Sequence, residues 1–175
     1  PRLLTDSRFT LQAEAEATGF QLYMYRRGLA ATLETLLPQL GAQSLGFEAD
    51  YFLYSTYARL LELAEKLKIQ LVATSSLVEE LRVVKTAAEL ELIRQSTKLN
   101  EQVFQQVYGQ IALGRSEREI ARLIENTMLK LGAERASFDT IVAFGENAAK
   151  PHAVPGERRL KPGETVLIDM GLVLN

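Results

Sequence analysis

Apolar residues in the first eighty positions fall into short strand-like runs that alternate with stretches of helical spacing. Arg2 to Thr5, Phe20 to Tyr25, Ser44 to Phe47 and Ile69 to Ala73 read as strands. Thr10 to Thr18 and Gly28 to Leu40 read as helices, closed by Gly19 and Gly41 at the position after a helix end. Tyr57, Leu60, Leu61, Ala64 and Leu67 make one apolar helical face. Strand–helix alternation with short connections predicts an α/β layer with a largely parallel sheet.

The pattern changes near Arg82. Thr86-Ala87-Ala88-Glu89 is a capping box, in which hydroxyl and carboxylate satisfy each other's orphan backbone donors. Leu90, Ile93, Thr97, Asn100, Phe104, Val107 and Ile111 then step along one face of a long helix predicted to end at Gly114. Ser116-Glu117-Arg118-Glu119 is a second capping box, and Ile120, Leu123, Ile124, Thr127 and Leu131 lead to a stop at Gly132. A tight Gly114-Arg115 turn between the two predicts a helical hairpin. Phe138 to Phe144 and Val166 to Asp169 supply further strands. A boundary falls near residues 82–86, giving domains 1–82 and 83–175. The chain opens on Pro1 in a strand-like run and stops at Asn175 in another, the expectation for a piece of a longer protein.

Composition narrows the function. Twenty basic against 22 acidic residues leave a formal charge of -2, with no global attraction for nucleic acid or an anionic membrane. Without cysteine there is no disulfide, thiolate metal site or thiol nucleophile. No apolar run reaches the ~20 residues of a membrane span, so the expectation is a soluble, cytoplasmic protein.

Two residues carry candidate chemistry. His152, the single histidine, follows Pro151 in a loop of small residues. It is either an ordinary loop residue or an imidazole that hydrogen-bonds substrate oxygen. Asp169 closes the run Thr165 to Ile168. At the inner end of a buried strand its carboxylate is either bonded to a turn or a ligand for a hard divalent cation. The local pattern leaves both pairs of readings open. Arg26-Arg27 and Arg158-Arg159 read as solvated faces, and Gly145, Gly156 and Gly163 as loop punctuation.

Several segments, in order, resemble one family. Leu81-Arg82-Val83-Val84-Lys85-Thr86-Ala87-Ala88-Glu89-Leu90 is similar to the junction that opens the catalytic domain of Xaa-Pro aminopeptidases and of the wider creatinase/prolidase/methionine-aminopeptidase group. Gly114 to Ala121, Ser137 to Ala149, Pro151-His152-Ala153 and Leu160 to Gly171 follow in that family's order. Leu3 to Phe9 and Leu45 to Glu48 are similar to its N-terminal domain. The resemblance implies a partial creatinase-type α/β domain followed by the first half of a pita-bread α+β catalytic domain.

It further implies a metallopeptidase that releases the N-terminal residue from peptides with proline second. The reaction proceeds through water activated by two divalent ions, manganese first, with cobalt or zinc as alternatives. Asp169 matches the first of five ligands, and His152 matches a histidine lining the substrate site. The family's other ligands, a second Asp, a His and two Glu, lie beyond Asn175 in that pattern, so the chain by itself is expected to be inactive. A homo-oligomer, commonly a dimer, is implied. The competing expectations are an Xaa-Pro dipeptidase, a creatinase-like C–N hydrolase, and a non-catalytic partner-binding relative.

Overall fold

A computed structural model describes residues 1–25 and 27–174; Arg26 of the Arg26-Arg27 pair and Asn175 at the end of the last strand-like run lie outside them. The chain divides into two compact units, Pro1–Val83 and Val84–Asn175.

The first unit is built from two strand–helix–strand turns. β1 (Arg2–Thr5) pairs in parallel with β2 (Gln21–Met24), with α1 (Thr10–Glu16) as the crossover. β3 (Ser44–Glu48) pairs in parallel with β4 (Gln70–Thr74) across α3 (Tyr54–Leu67). Parallel pairing needs such a crossover because a hairpin turn returns the chain antiparallel. α2 (Leu29–Gln39) links the two turns, and α4 (Leu77–Val83) closes the unit. Among the described residues the ladders are two separate two-stranded pairs, where the alternation predicted one larger sheet. Leu37, Leu60 and Leu63 form the core, packed with Leu33, Leu45 and Leu71. Leu63 takes the place predicted for Leu61, which is 39% exposed. The buried residues of α3 are Leu60, Leu63 and Ala64, three and four positions apart, and Leu61 falls outside that stripe. After β1, Arg8 donates from Nε to Asp6 Oδ1 (2.9 Å) and from Nη2 to Oδ2 (2.7 Å), a two-pronged pair that fixes the turn Asp6-Ser7-Arg8.

In the second unit both capping boxes form. Thr86 opens α5 (Ala87–Tyr108) and Ser116 opens α6 (Glu117–Lys130). At the second, Ser116 N donates to Glu119 Oε2 (2.8 Å) and Glu119 N donates to Ser116 Oγ (3.2 Å). α5 stops at Gly109, short of the predicted Gly114. Instead of a tight turn, Gly114 (φ +83) sits in a connection that is bonded to a distant segment. Gly114 N donates to Leu160 O (2.9 Å), Leu160 N donates to Arg115 O (2.9 Å), and Ser116 bridges Arg159. Those partners, some forty-five residues downstream, pull the chain out of helix.

The two helices pack Val103, Val107, Ile120, Ile124 and Met128 against Val142 and Phe144. Val103 is fully buried, whereas Leu90, Ile93 and Phe104 of the predicted α5 face are 41%, 49% and 38% exposed. The buried stripe of α5 runs through Leu99, Val103 and Val107, one position away from Phe104.

Four short strands make a broken hairpin. β6 (Ile141–Phe144) pairs antiparallel with β7 (Val166–Asp169), and β5 (Arg135–Ala136) with β8 (Leu172–Val173). Between the two ladders, residues 137–140 face residues 170–171, so the first strand carries two extra residues as a bulge. This shortens the predicted strand Phe138–Phe144 to begin at Ile141. The bulge approaches Gly171 closely. A Cβ there would lie 2.5 Å from Ser137 Oγ and 2.9 Å from Phe138 Cε1. Gly171→Ala is therefore expected to cost about 1–3 kcal/mol through forced repacking. Urea denaturation checks this, and a loss below about 0.5 kcal/mol would show that the bulge yields freely. No helix among the described residues is long and apolar enough to cross a membrane.

Candidate functional site

Asp169 ends β7 directly opposite Ile141, the first residue of β6. Its side chain is exposed, which corrects the expectation of a carboxylate desolvated at the inner end of a buried strand. β6 is buried from Val142 to Phe144, but its partner β7 is only half-buried and its last residue faces water, so Asp169 has no burial to offset. Among the described residues it has no hydrogen-bond or ionic partner, leaving both oxygens available.

His152 follows β6 in the chain, eight residues past Phe144. Phe144 leads into a 3-10 turn, Gly145–Ala149, and Pro151-His152 follow as a turn. The imidazole is exposed and unbonded among the described residues, while Ala153 beside it is buried. Pro151 restricts the backbone immediately before it. Asp169 thus ends one strand of the ladder, and His152 follows the other strand in the chain. The hairpin brings both to the same unit without bonding them to each other.

Among the described residues no three His, Cys, Asp or Glu side chains cluster closely enough to hold a metal ion. Asp169 has the right donor chemistry, a hard oxygen with no competing partner, yet divalent cations such as Mg²⁺ and Ca²⁺ take six or more ligands. The residues present therefore offer one ligand and do not complete a centre.

What the structure builds around the His152 segment is a buried carboxylate. Glu117, the first residue of α6, is 0% exposed. Glu117 Oε1 accepts from Phe144 N (2.9 Å) and Asn147 Nδ2 (3.0 Å), and Oε2 accepts from Gly156 N (3.0 Å). Burial alone pushes the Glu117 carboxyl up. The bonds from Phe144, Asn147 and Gly156, with the Arg158 guanidinium nearby, outweigh it and hold the carboxyl below its ordinary value. In the sequence Glu117 reads only as an acidic residue in a capping box. One signal was present: the box uses Glu119, so the second glutamate at the helix start is surplus to capping.

Arg158 corrects the reading of Arg158-Arg159 as a solvated face. Its side chain, 22% exposed, donates from Nε to Phe144 O (3.0 Å), from Nη1 to Glu146 Oε1 (3.3 Å) and from Nη2 to Glu164 Oε1 (2.5 Å). Gly145 (φ +50) makes room for it, since a Cβ there would come within 2.7 Å of Arg158 Nη2. Gly145 and Gly156 are thus parts of this network, beyond the punctuation the sequence suggested.

Comparison with known proteins gives the same division of the chain. Residues 1–84 match the Creatinase/Prolidase N-terminal domain, and residues 91–175 match Metallopeptidase family M24. The uncharacterized peptidase YqhT of Bacillus subtilis is 31% identical over 168 residues, 96% of this chain and 47% of its own length. Among solved structures, the Xaa-Pro dipeptidase from Bacillus anthracis superposes with a TM-score of 0.85 at 34% identity, over 98% of this chain and 47% of that one. The X-Pro aminopeptidase from Thermotoga maritima MSB8 gives 0.81 at 32% identity, over 98% and 48%. The chain spans about half the length of these relatives.

Proposed function

Because residues 91–175 belong to metallopeptidase family M24 and residues 1–84 to the creatinase/prolidase N-terminal domain, we propose that the intact protein is a metal-dependent aminopeptidase that releases the N-terminal residue from Xaa-Pro peptides. The observation that carries this reading is structural likeness to an X-Pro aminopeptidase and an Xaa-Pro dipeptidase over 98% of the chain, at 32% and 34% identity. Likeness to the second, an Xaa-Pro dipeptidase, favours an alternative, Xaa-Pro dipeptidase activity. We place the protein in the cytoplasm as a homodimer.

In this reading Asp169 is one ligand of a dinuclear centre, with manganese the first choice, and the remaining ligands lie outside this chain. Bound divalent ions supply Lewis-acid activation of water and charge stabilisation at the scissile carbonyl. His152 supplies a donor or acceptor for substrate oxygen. Its exposed imidazole has no partner among the described residues, and its neighbours Pro151 and buried Ala153 limit how far the backbone carrying it can move. An Xaa-Pro bond lacks the amide hydrogen that general peptidases can use, so a dedicated pocket suits this substrate.

The test is hydrolysis by the intact protein, stripped of metal and resupplied with Mn²⁺, of Xaa-Pro dipeptides and of Xaa-Pro-Yaa peptides side by side. Cleavage of the longer peptides identifies the aminopeptidase; cleavage confined to dipeptides identifies the alternative. Metal-independent turnover of either would end both readings. His152→Ala is expected to lower kcat by about 10²-fold, the scale of a lost acid–base or hydrogen-bonding group, with metal content unchanged by elemental analysis. Loss of metal in that variant would move His152 into the ligand set.

A further inference from the structure

Glu117 holds both ends of the loop that carries the only histidine in the chain. Asn147, five residues before His152, donates its amide to Glu117 Oε1, and Gly156, four residues after it, donates its backbone N–H to Oε2. Phe144 N, on the same carboxylate, fixes the point where β6 gives way to the loop. The backbone of α6 adds two more ties, from Glu117 N to Arg158 O (3.1 Å) and from Arg118 N to Gly156 O (3.1 Å). Inside the loop, Lys150 donates its N–H to Asn147 O (3.0 Å) and Nζ to Asn147 Oδ1 (2.7 Å). Between these anchors His152 itself touches no hydrogen-bonding partner among the described residues. Its position is inherited from the clamp.

Helix capping does not explain this arrangement, since Ser116 and Glu119 already satisfy the start of α6. A fully buried carboxylate is costly to desolvate and persists where its donors repay the cost. Here the donors lie 27, 30 and 39 residues away along the chain, all of them on the segment that leads into and out of the His152 loop.

We propose that Glu117 is a positioning residue for the peptidase reaction, a buried clamp that closes the 147–156 loop and thereby places His152 against the substrate. The proposal rests on the reading of His152 given above. Glu117→Gln is the informative change because it keeps the shape. The amide oxygen still accepts from Phe144 and Asn147, while the amide nitrogen meets the Gly156 N–H donor to donor and opens that end of the loop.

The experiment measures kcat, KM and metal content of the intact protein as wild type, Glu117→Gln, His152→Ala and the double variant. Hydrogen exchange over residues 144–157 is followed alongside. Glu117→Gln is expected to lower kcat by about 10- to 100-fold, the scale of a catalytic group displaced by about 1 Å. KM should change less than about threefold and metal content not at all, with faster exchange confined to the loop. In the His152→Ala background the same change should cost nothing further, because the group it positions is gone.

An equal loss in both backgrounds, or an unchanged kcat with a loosened loop, overturns the proposal while leaving His152 in its role. Unchanged turnover in His152→Ala alone overturns the reading of His152, and the proposal with it. Asn147→Ala, which removes one arm from a half-buried position, gives the same comparison if Glu117→Gln does not fold. It is expected to lower kcat in the wild-type background alone.

Discussion

Replacing Glu117 with Ala is expected to destabilise the second unit by about 2–6 kcal/mol. The estimate counts two backbone donors, Phe144 N–H and Gly156 N–H, left without their carboxylate at about 1–3 kcal/mol each. The measurement is urea denaturation followed by a probe in residues 84–175. A loss below about 1 kcal/mol would mean that water replaces the carboxylate cheaply and that the site is softer than its full burial indicates.

The same group sets an acid dependence. Its folded carboxyl titrates below the ordinary value of 4.5, so its contribution is complete above that value and is lost as pH falls through the folded one. Wild type should therefore lose stability below about pH 4.5. Glu117→Ala, lacking the group, should show a shallower acid limb over that window.

The second large effect is at Asp169. Asp169→Asn in the intact protein is expected to lose metal and turnover together. Removing a side chain that merely orients a ligand already costs about 10- to 100-fold in metal affinity or activity. Losing the ligand itself should exceed about 100-fold in activity on Xaa-Pro peptides. The fold should be unaffected, because the Asp169 side chain is exposed and makes no bond among the described residues. Elemental analysis beside a kinetic assay decides it. Full metal content with activity lost would give Asp169 a different role, and unchanged values of both would remove it from the site.

Much of the local structure was legible in the residues. Both capping boxes, the strands Arg2–Thr5 and Val166–Asp169, and glycines at positive φ after helix ends (Gly19, Gly41 and Gly132) stand where the sequence puts them. The caps and the glycines depend on contacts within three or four residues, and the strands show as short β-prone runs, so the information is contained in the segment itself. The α/β character of the first unit followed from alternation, and the helical hairpin of the second from two capped amphipathic helices in succession.

The candidate site was legible only in part. Asp169 and His152 stood out by residue type and motif, whereas Glu117 and Arg158 looked like ordinary surface charges. Nothing within four residues of Glu117 accounts for its burial. The same limit appears in the helices. Spacing showed that α3 and α5 each have an apolar stripe, yet Leu63 and Val103 are buried where Leu61 and Phe104 were expected.

By itself the sequence determined where most of the longer helices and strands begin to within a few residues, though not where α5 ends, and which family its ordered motifs resemble. It did so because hydrogen bonds between near neighbours and apolar periodicity are local properties. Tertiary structure alone decided which neighbour in each stripe is buried, and that Gly171 must stay small beneath the bulge. It also decided that a glutamate at a helix start becomes the clamp of the His152 loop. Desolvation and close approach are set by groups brought together across tens of residues, and a local reading of the chain contains no term for them.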